Sequence, residues 1–404
     1  MNIRKYYFYC FFKEFMPIYP LYLLMFEQNG LSLAKISALL AIWSIPGVLL
    51  EIPTGVLADH WSRKKLIMLG SLLKAGCYLL WIFSEGFTLF AAGFLLWGIG
   101  GAFYSGSEEA LLFDSLKIER REASFDLVYG RGRFLSGIST ILASLLGGYL
   151  GMRYGFDLAL ALSVLSALLS AVTAAAMKEV NLYKERRISK EKDHRKSTVY
   201  QSILFLIKRK DIFLLTAISL LVITTAGVLD EYDQLIAEDY GLTIALIGGW
   251  TAIRFLLISF GGILAYRIRR RLEKLLHSMD RMLLITFLCL ASAGCLIVAG
   301  MVRVIMIMGL YGLYYFIMAA ADVIQEDYLQ QRIEAEGRST VHSLTALSKN
   351  LYGILCYGLF GIAISHTGLF SGLTLTGCYI AVWTLIIGIM YLNDRHKIQQ
   401  RKEE

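Results

Sequence analysis

The stretch Gly55-Val56-Leu57-Ala58-Asp59-His60-Trp61-Ser62-Arg63-Lys64-Lys65 sets an aspartate and three cations between two apolar runs, 36 to 58 and 66 to 84. Each run is about 20 residues long, enough to cross the hydrocarbon core of a bilayer as a helix. The pattern returns 207 residues later, where Gly55, Leu57 and Ala58 reappear as Gly262, Leu264 and Ala265 and Tyr266 takes the place of Asp59. The same offset carries Gly130-Arg131 onto Gly337-Arg338 and Ser136 onto Ser343; an offset of 213 carries Glu109 and Asp114 onto Asp322 and Asp327. Several features recurring in order at nearly one spacing mark a chain of two duplicated halves.

Outward from that loop the chain is apolar almost throughout. Of its 404 residues 56% are apolar, 18% are charged and 4 are proline, and a mean hydropathy of +0.57 is too high for a soluble globular protein. Apolar windows predict twelve spans, at 6–27, 36–58, 66–84, 88–116, 129–150, 157–177, 212–233, 243–266, 281–300, 303–327, 340–364 and 370–392. The expected fold class is an all-α membrane protein. Its organisation reads as a six-helix bundle over 1–177, a cytoplasmic linker over 178–211 with a surface-lying helix near 198–210, a second six-helix bundle over 212–392 and a cytoplasmic tail over 393–404.

The formal charge of +8 follows from topology. With both termini cytoplasmic, the cytoplasmic connections and tails, counting Arg281 at the edge of span nine, hold 31 of the 40 Lys and Arg residues, and the external connections, counting Arg303 at the edge of span ten, hold only Lys35, Arg153 and Arg303. That is the positive-inside pattern, and a nucleic-acid partner is not needed to explain the charge. The six cysteines lie in apolar segments without CxxC or Cys/His spacing, so neither disulfides nor zinc are expected. No small-residue cleavage site follows the first apolar run, so that helix is expected to be retained.

The opening stretch resembles the loop motif of the major facilitator superfamily, Gly-x-Leu-Ala-Asp-Arg-x-Gly-Arg-Lys/Arg, with His60 for a basic residue and Ser62 for a glycine. Span count and the 6 + 6 division extend the resemblance over the whole chain. It implies two bundles in pseudo-symmetry and transport by alternating access, with the contacts of this loop holding the cytoplasmic side closed in the outward-facing state. The residues have a physical reading of their own. Gly55 and Ala58 permit close helix approach, and Asp59 beside Arg63 can accept hydrogen bonds from a guanidinium or from helix N-terminal amides. Asp114, ending span four, and Arg131 or Arg133, opening span five, are expected in the same gate layer, with Asp322 and Asp327 as the counterpart in the second half. The alternative is that these charges are only topogenic. Tyr266 in the place of Asp59 predicts an asymmetric latch. Two further family signals are reduced. Phe94 stands where a fourth-span arginine precedes Gly98, and the fifth-span antiporter pattern is cut to Ser139-x-x-x-Ala143-Ser144-x-x-Gly147-Gly148.

Charges inside spans need a reason, because each costs about 2.5 to 3.5 kcal/mol at the bilayer centre. Arg254 and Lys349 fall near the midplane of spans eight and eleven. Glu51 lies between Pro46 and Pro53 in span two, Glu108 and Glu109 follow the small-residue stretch Gly98 to Ser107, and Lys13 and Glu14 are adjacent in span one. These are the candidate substrate and proton-coupling residues, with Glu51 and Glu109 as the acids best placed to carry a proton. Ion pairs that only hold the bundle together are the alternative. Asp230 and Asp233, three apart at the outer end of span seven, are candidates for an external gate.

Other classes fail on motifs. There is no HExxH, no GxSxG and no GxxxxGK[ST], which argues against an intramembrane enzyme or a nucleotide-driven pump. No catalytic residue, metal or cofactor is expected. Duplicated six-span halves are the usual construction of secondary transporters. The expected function is therefore alternating-access transport of a small amphipathic or zwitterionic organic molecule, coupled to protons, in the multidrug-efflux manner of a bacterial antiporter. The protein is expected as a monomer in the bacterial plasma membrane, with substrate, protons and the lipid bilayer as its partners. The second reading is proton-linked uptake of a sugar, amino acid or siderophore, and the third a non-transporting receptor.

Overall fold

The computed structural model describes residues 2–84, 86–181, 209–275, 280–332 and 338–403. Every regular element among them is helical. In order they are α1 (Asn2–Glu14), α2 (Tyr22–Gln28), α3 (Leu33–His60), α4 (Arg63–Ile82), α5 (Phe87–Tyr104), α6 (Ser107–Ile118), α7 (Phe125–Tyr154) and α8 (Phe156–Ala176). There follow α9 (Lys210–Ile218), α10 (Thr224–Glu231), α11 (Asp233–Asp239), α12 (Ile244–Leu275), α13 (Arg281–Met301), α14 (Met308–Arg332), α15 (Arg338–Thr367) and α16 (Leu369–Glu403). The expected surface helix near 198–210 lies outside the described residues, apart from the start of α9.

Among the described residues eleven spans, some of them built from two helices, are long and apolar enough to cross a membrane, and α1 with α2 supplies a further candidate in two pieces. The sequence predicts that first span as one helix over 6–27. It is broken instead, because Pro17 and Pro20 offer no amide to continue the ladder and restrict the residues before them. The chain from Phe15 to Leu21 turns through short bonds, Met16 N to Glu14 O at 2.9 Å, Tyr19 N to Met16 O at 2.9 Å and Leu21 N to Ile18 O at 2.9 Å. Span four is likewise split, at Gly106, whose φ of +69° suits glycine and few other residues. In span seven a π turn over Ser219–Ile223 joins α9 to α10.

The loop between α3 and α4 closes without a glycine at positive φ. Ser62 is extended (φ −82°, ψ 113°) and caps α4, its hydroxyl accepting from Lys65 N at 3.2 Å. A serine cap thus sets the turn that glycine sets in the motif the loop resembles.

The chain divides into two compact units, Met1–Glu191 with Leu242–Ile253, and Lys192–Gly241 with Arg254–Glu404. In the first, α4 packs on α5 and α8, α3 on α5, and α1 on α7 and α8. Its core is aromatic. Phe26 lies 5.0 Å from Trp81 and 4.5 Å from Phe90, and Trp81 5.0 Å from Phe94, ring centre to ring centre. In the second, α13 packs on α14 and α16.

Candidate functional site

The break in the first span is held open by the rest of its unit. A helix end leaves carbonyls without amides, and here four carbonyls of the last turn, from Cys10 to Lys13, each meet a side chain from another helix. Ser136 donates to Cys10 O at 3.2 Å, Ser139 to Phe11 O at 2.6 Å and Ser166 to Phe12 O at 2.8 Å. The Lys74 ammonium lies 3.4 Å from Lys13 O. Across the gap Ser163 accepts from Ile18 N at 3.1 Å. Gly147 completes the fit, since a β-carbon there would collide with the carbonyl oxygen of Pro17.

Around that break lies a charged cluster. Lys13 donates to both oxygens of Glu108, at 2.7 and 3.0 Å, and the Tyr9 hydroxyl donates to the nearer one at 2.5 Å. Glu14 stands 4.0 Å from the Lys13 ammonium with its side chain 36% exposed. The ring of Tyr104 lies 4.9 Å from the same ammonium. Lys13 and Lys74 are each eleven residues beyond the start of their helices, about 16 Å along the axis, so the cluster sits at mid-depth. Beside it Trp97, half-buried like Tyr19 and Trp43, faces the Lys74 ammonium at 5.2 Å. Tyr19 and Trp43 lie 6.3 and 5.7 Å from Trp97. Glu109 lies apart from the pair, accepting from the Tyr129 hydroxyl at 3.3 Å.

Some of the charges expected to form the latch are paired within each unit. Arg63, the first residue of α4, pairs with Asp114 at 2.7 Å, their side chains only 7% and 4% exposed. Arg131 and Arg133, expected in the same layer as Asp114, do not pair with it. Both are exposed on α7 and make no ion pair among the described residues. In the second unit Asp327 pairs with Arg269 at 2.7 Å, and with Arg281 at 3.8 Å. Tyr266 lies beneath Arg269 and Arg270, at 5.3 and 5.7 Å. An aromatic ring therefore holds cations where the first half has Asp59. Gly55 lies on α3, while the side chains of Glu51 and Asp59 on the same helix are outside the described residues.

Elsewhere in the second unit, the two acids at the end of span seven and the arginine of span eight meet. Arg254 pairs with Asp230, and its Nε lies 3.4 Å from Asp233. Tyr315 donates to Asp233 at 3.1 Å, and its ring lies 5.4 Å from the Arg254 guanidinium. The sequence assigns Arg254 to the cavity and the two aspartates to an external gate; the structure makes them one cluster. Lys349 and Glu326 both lie within electrostatic reach of Asp322.

Two residues gain a role only in the structure. Lys74 reads in the sequence as one more charge within a span. Glu179, just after α8, accepts from the amides of Arg63 and Lys64, at 3.1 Å each. A lone acid between Lys178 and the basic linker is the only signal of it in the sequence.

The sequence profile of the Major Facilitator Superfamily matches residues 6–357. No curated protein sequence matches the chain. Among solved structures it is similar to a mutant form of the nucleoside transporter NupG, at 13% identity over 96% of this chain and 98% of that one, with a TM-score of 0.74. It is similar to the POT family transporter PepTSo at 10% identity over 98% of each chain, TM-score 0.71. A bacterial homolog of the human lysosomal transporter Spinster, inward-facing and unoccupied, gives 12% identity over 97% of each chain and a TM-score of 0.70. At such identities the likeness is one of fold.

Proposed function

The chain belongs to the Major Facilitator Superfamily, and on that premise we propose that this multi-pass membrane transporter is a proton-coupled secondary carrier that exports a small amphipathic or zwitterionic organic molecule. The observation that carries the reading is the Lys13–Glu108–Tyr9 cluster at the broken first span. Discontinuous helices at mid-depth are where secondary carriers place substrate and coupling-ion sites. A carboxylate beside an ammonium and a phenol can hold a proton while the site is free of substrate and release it when a substrate cation binds next to it, so that proton and substrate take turns at the site. Glu51 and Glu109 are the further candidate acids, and Glu14 adds a half-exposed charge for the substrate's ammonium. The half-buried rings of Tyr19, Trp43 and Trp97 suit the apolar part of such a molecule.

In the same reading Gly55, Asp59, Arg63 and Asp114, with Asp322 and Asp327 in the second half, form the gate that closes the cytoplasmic side, and Asp230 with Asp233 serves the external one. Proton-linked uptake of a polar metabolite is the second reading. It is favoured by the loss of proline and glycine from the antiporter pattern at Ser139 to Gly148, and by similarity in fold to structures described as nucleoside and peptide transporters.

The test is reconstitution into proteoliposomes under an imposed pH gradient, with a proton-sensing dye and a panel of cationic dyes, nucleosides, dipeptides and sugars. Proton movement that depends on an added cationic or zwitterionic compound and runs opposite to it is expected. Movement in the same direction as a metabolite would establish the second reading, and no compound-dependent movement at all would sink proton coupling.

A further inference from the structure

The five residues that follow α8, Met177 to Asn181, are fastened to the face of the first unit that carries the loop between α3 and α4. Asn2 holds Lys178 by both backbone atoms, accepting from its amide at 2.8 Å and donating to its carbonyl at 3.0 Å, and also donates to Ser115 at 2.8 Å. Asn181 reaches Ala58 O at 3.4 Å. Between these anchors the Glu179 carboxylate accepts from the amides of Arg63 and Lys64 and from the Ser62 hydroxyl. Those amides belong to the first turn of α4, where a helix has donors to spare and its dipole favours negative charge. The next step is Arg63 itself, which donates to Asp114 at 2.7 Å, one residue from the Ser115 that Asn2 holds.

We propose that Glu179 is the positioning residue of the latch: the root of the segment joining the two halves fixes the start of α4, and so fixes the reach of Arg63 to Asp114. The proposal rests on the reading of that pair as part of the gate. It gives the connecting segment a task that a passive tether lacks. Whatever pulls on residues beyond Asn181, or removes the charge at Glu179, frees the first turn of α4 and weakens the closed layer. Two backbone amides and a hydroxyl converging on one carboxylate make the contact charge-assisted and directional. An amide in its place would keep one acceptor oxygen and lose the second, along with the charge.

Two readouts on the full-length carrier separate the parts. Trypsin cuts after Lys178, and that bond is clasped by Asn2 and Glu179. Relative to cleavage of the same bond in the denatured chain, Glu179→Gln should speed it about tenfold, the scale of losing hydrogen bonds to a charged group, while Glu179→Asp should restore much of the protection. Hydrogen–deuterium exchange then reports the state of the folded carrier. Glu179→Gln should raise exchange at the span ends near Arg63 and lower it at the opposite ends near Phe87, a shift of about two- to fivefold in the balance of states. The folded fraction of Asp114→Asn should give the same shift, and adding Glu179→Gln to it should give no more, because one route is already cut. Faster cleavage without the opposed exchange changes, while Asp114→Asn does produce them, would overturn the proposal and leave the gate reading standing. Unchanged cleavage in Glu179→Gln would overturn it too, by removing the clasp. If Asp114→Asn itself produces no opposed change, the gate reading fails and the proposal falls with it.

Discussion

The two halves of the duplicated chain each keep an arginine–aspartate pair at 2.7 Å, Arg63–Asp114 and Arg269–Asp327, yet they differ in nearly everything around it. In the first unit the pair is sealed, with the Glu179 clasp behind it. In the second, Asp327 is 43% exposed, shares Arg281, and its arginine rests on Tyr266. A sealed pair is brittle, because removing one partner strands the other in a low dielectric. An open, shared pair is tolerant, because water and a second cation take over. The two halves thus keep the same pair in two settings, one sealed and one exposed and shared.

The largest expected effect breaks the sealed pair. Asp114→Asn should cost about 3 to 5 kcal/mol, read as loss of folded carrier by size-exclusion chromatography and as a lowered unfolding temperature. Neutralising Arg63 as well, as Arg63→Met, should recover most of it. Were Asp114→Asn as mild as the matching change at Asp327, the contrast between the halves would be void.

A second experiment asks whether the first unit also carries the coupling chemistry. Glu108→Gln should cut gradient-driven accumulation about tenfold or more while substrate-for-substrate exchange survives, since the side chain keeps its shape and loses its titration. If folded yield falls instead, and Lys13→Met restores it, Lys13–Glu108 is a structural pair and coupling belongs elsewhere, with Glu51 and Glu109 next to be changed to glutamine.

Smaller still is the effect of Asp59→Asn, about two- to fivefold in the ratio of cysteine labelling from the two sides, in the inward direction and with expression intact. Unchanged labelling with normal transport would remove Asp59 from the gate. The smallest effect belongs to the soft pair, where Asp327→Asn should change stability by about 0 to 1 kcal/mol and leave labelling as it was. A larger change would show that the second half is as brittle as the first.

How much of this is legible in the sequence depends on the kind of contact. Spans follow from composition over about twenty residues, so hydropathy finds them. Their ends slip where charged turns continue a helix: the largely basic run from Arg267 to Lys274 carries α12 to Leu275, past an apolar window that stops at Tyr266. The break in the first span is written in Pro17 and Pro20, but an average over the window hides it. Pairings between helices are not legible. Arg254 finds Asp230 and Asp233 within its own unit, and nothing in the spacing of three separate helices says which faces meet. Lys74 approaches a backbone carbonyl, that of Lys13, a role that exists only once another helix has broken beside it.

The broken first span also bears on how the protein is made. Four consecutive carbonyls, from Cys10 to Lys13, draw on donors that are synthesised later, Lys74 in span three, Ser136 and Ser139 in span five and Ser166 in span six. For two of them the helix itself has no substitute, since Pro17 carries no amide for Lys13 O and the amide of Met16 turns to Glu14 O and away from Phe12 O. Lipid offers nothing in exchange, and each bare carbonyl in hydrocarbon costs several kcal/mol. The first span is therefore expected to settle only when spans three, five and six are in place beside it, which makes the integration of these four a joint event in place of separate insertions.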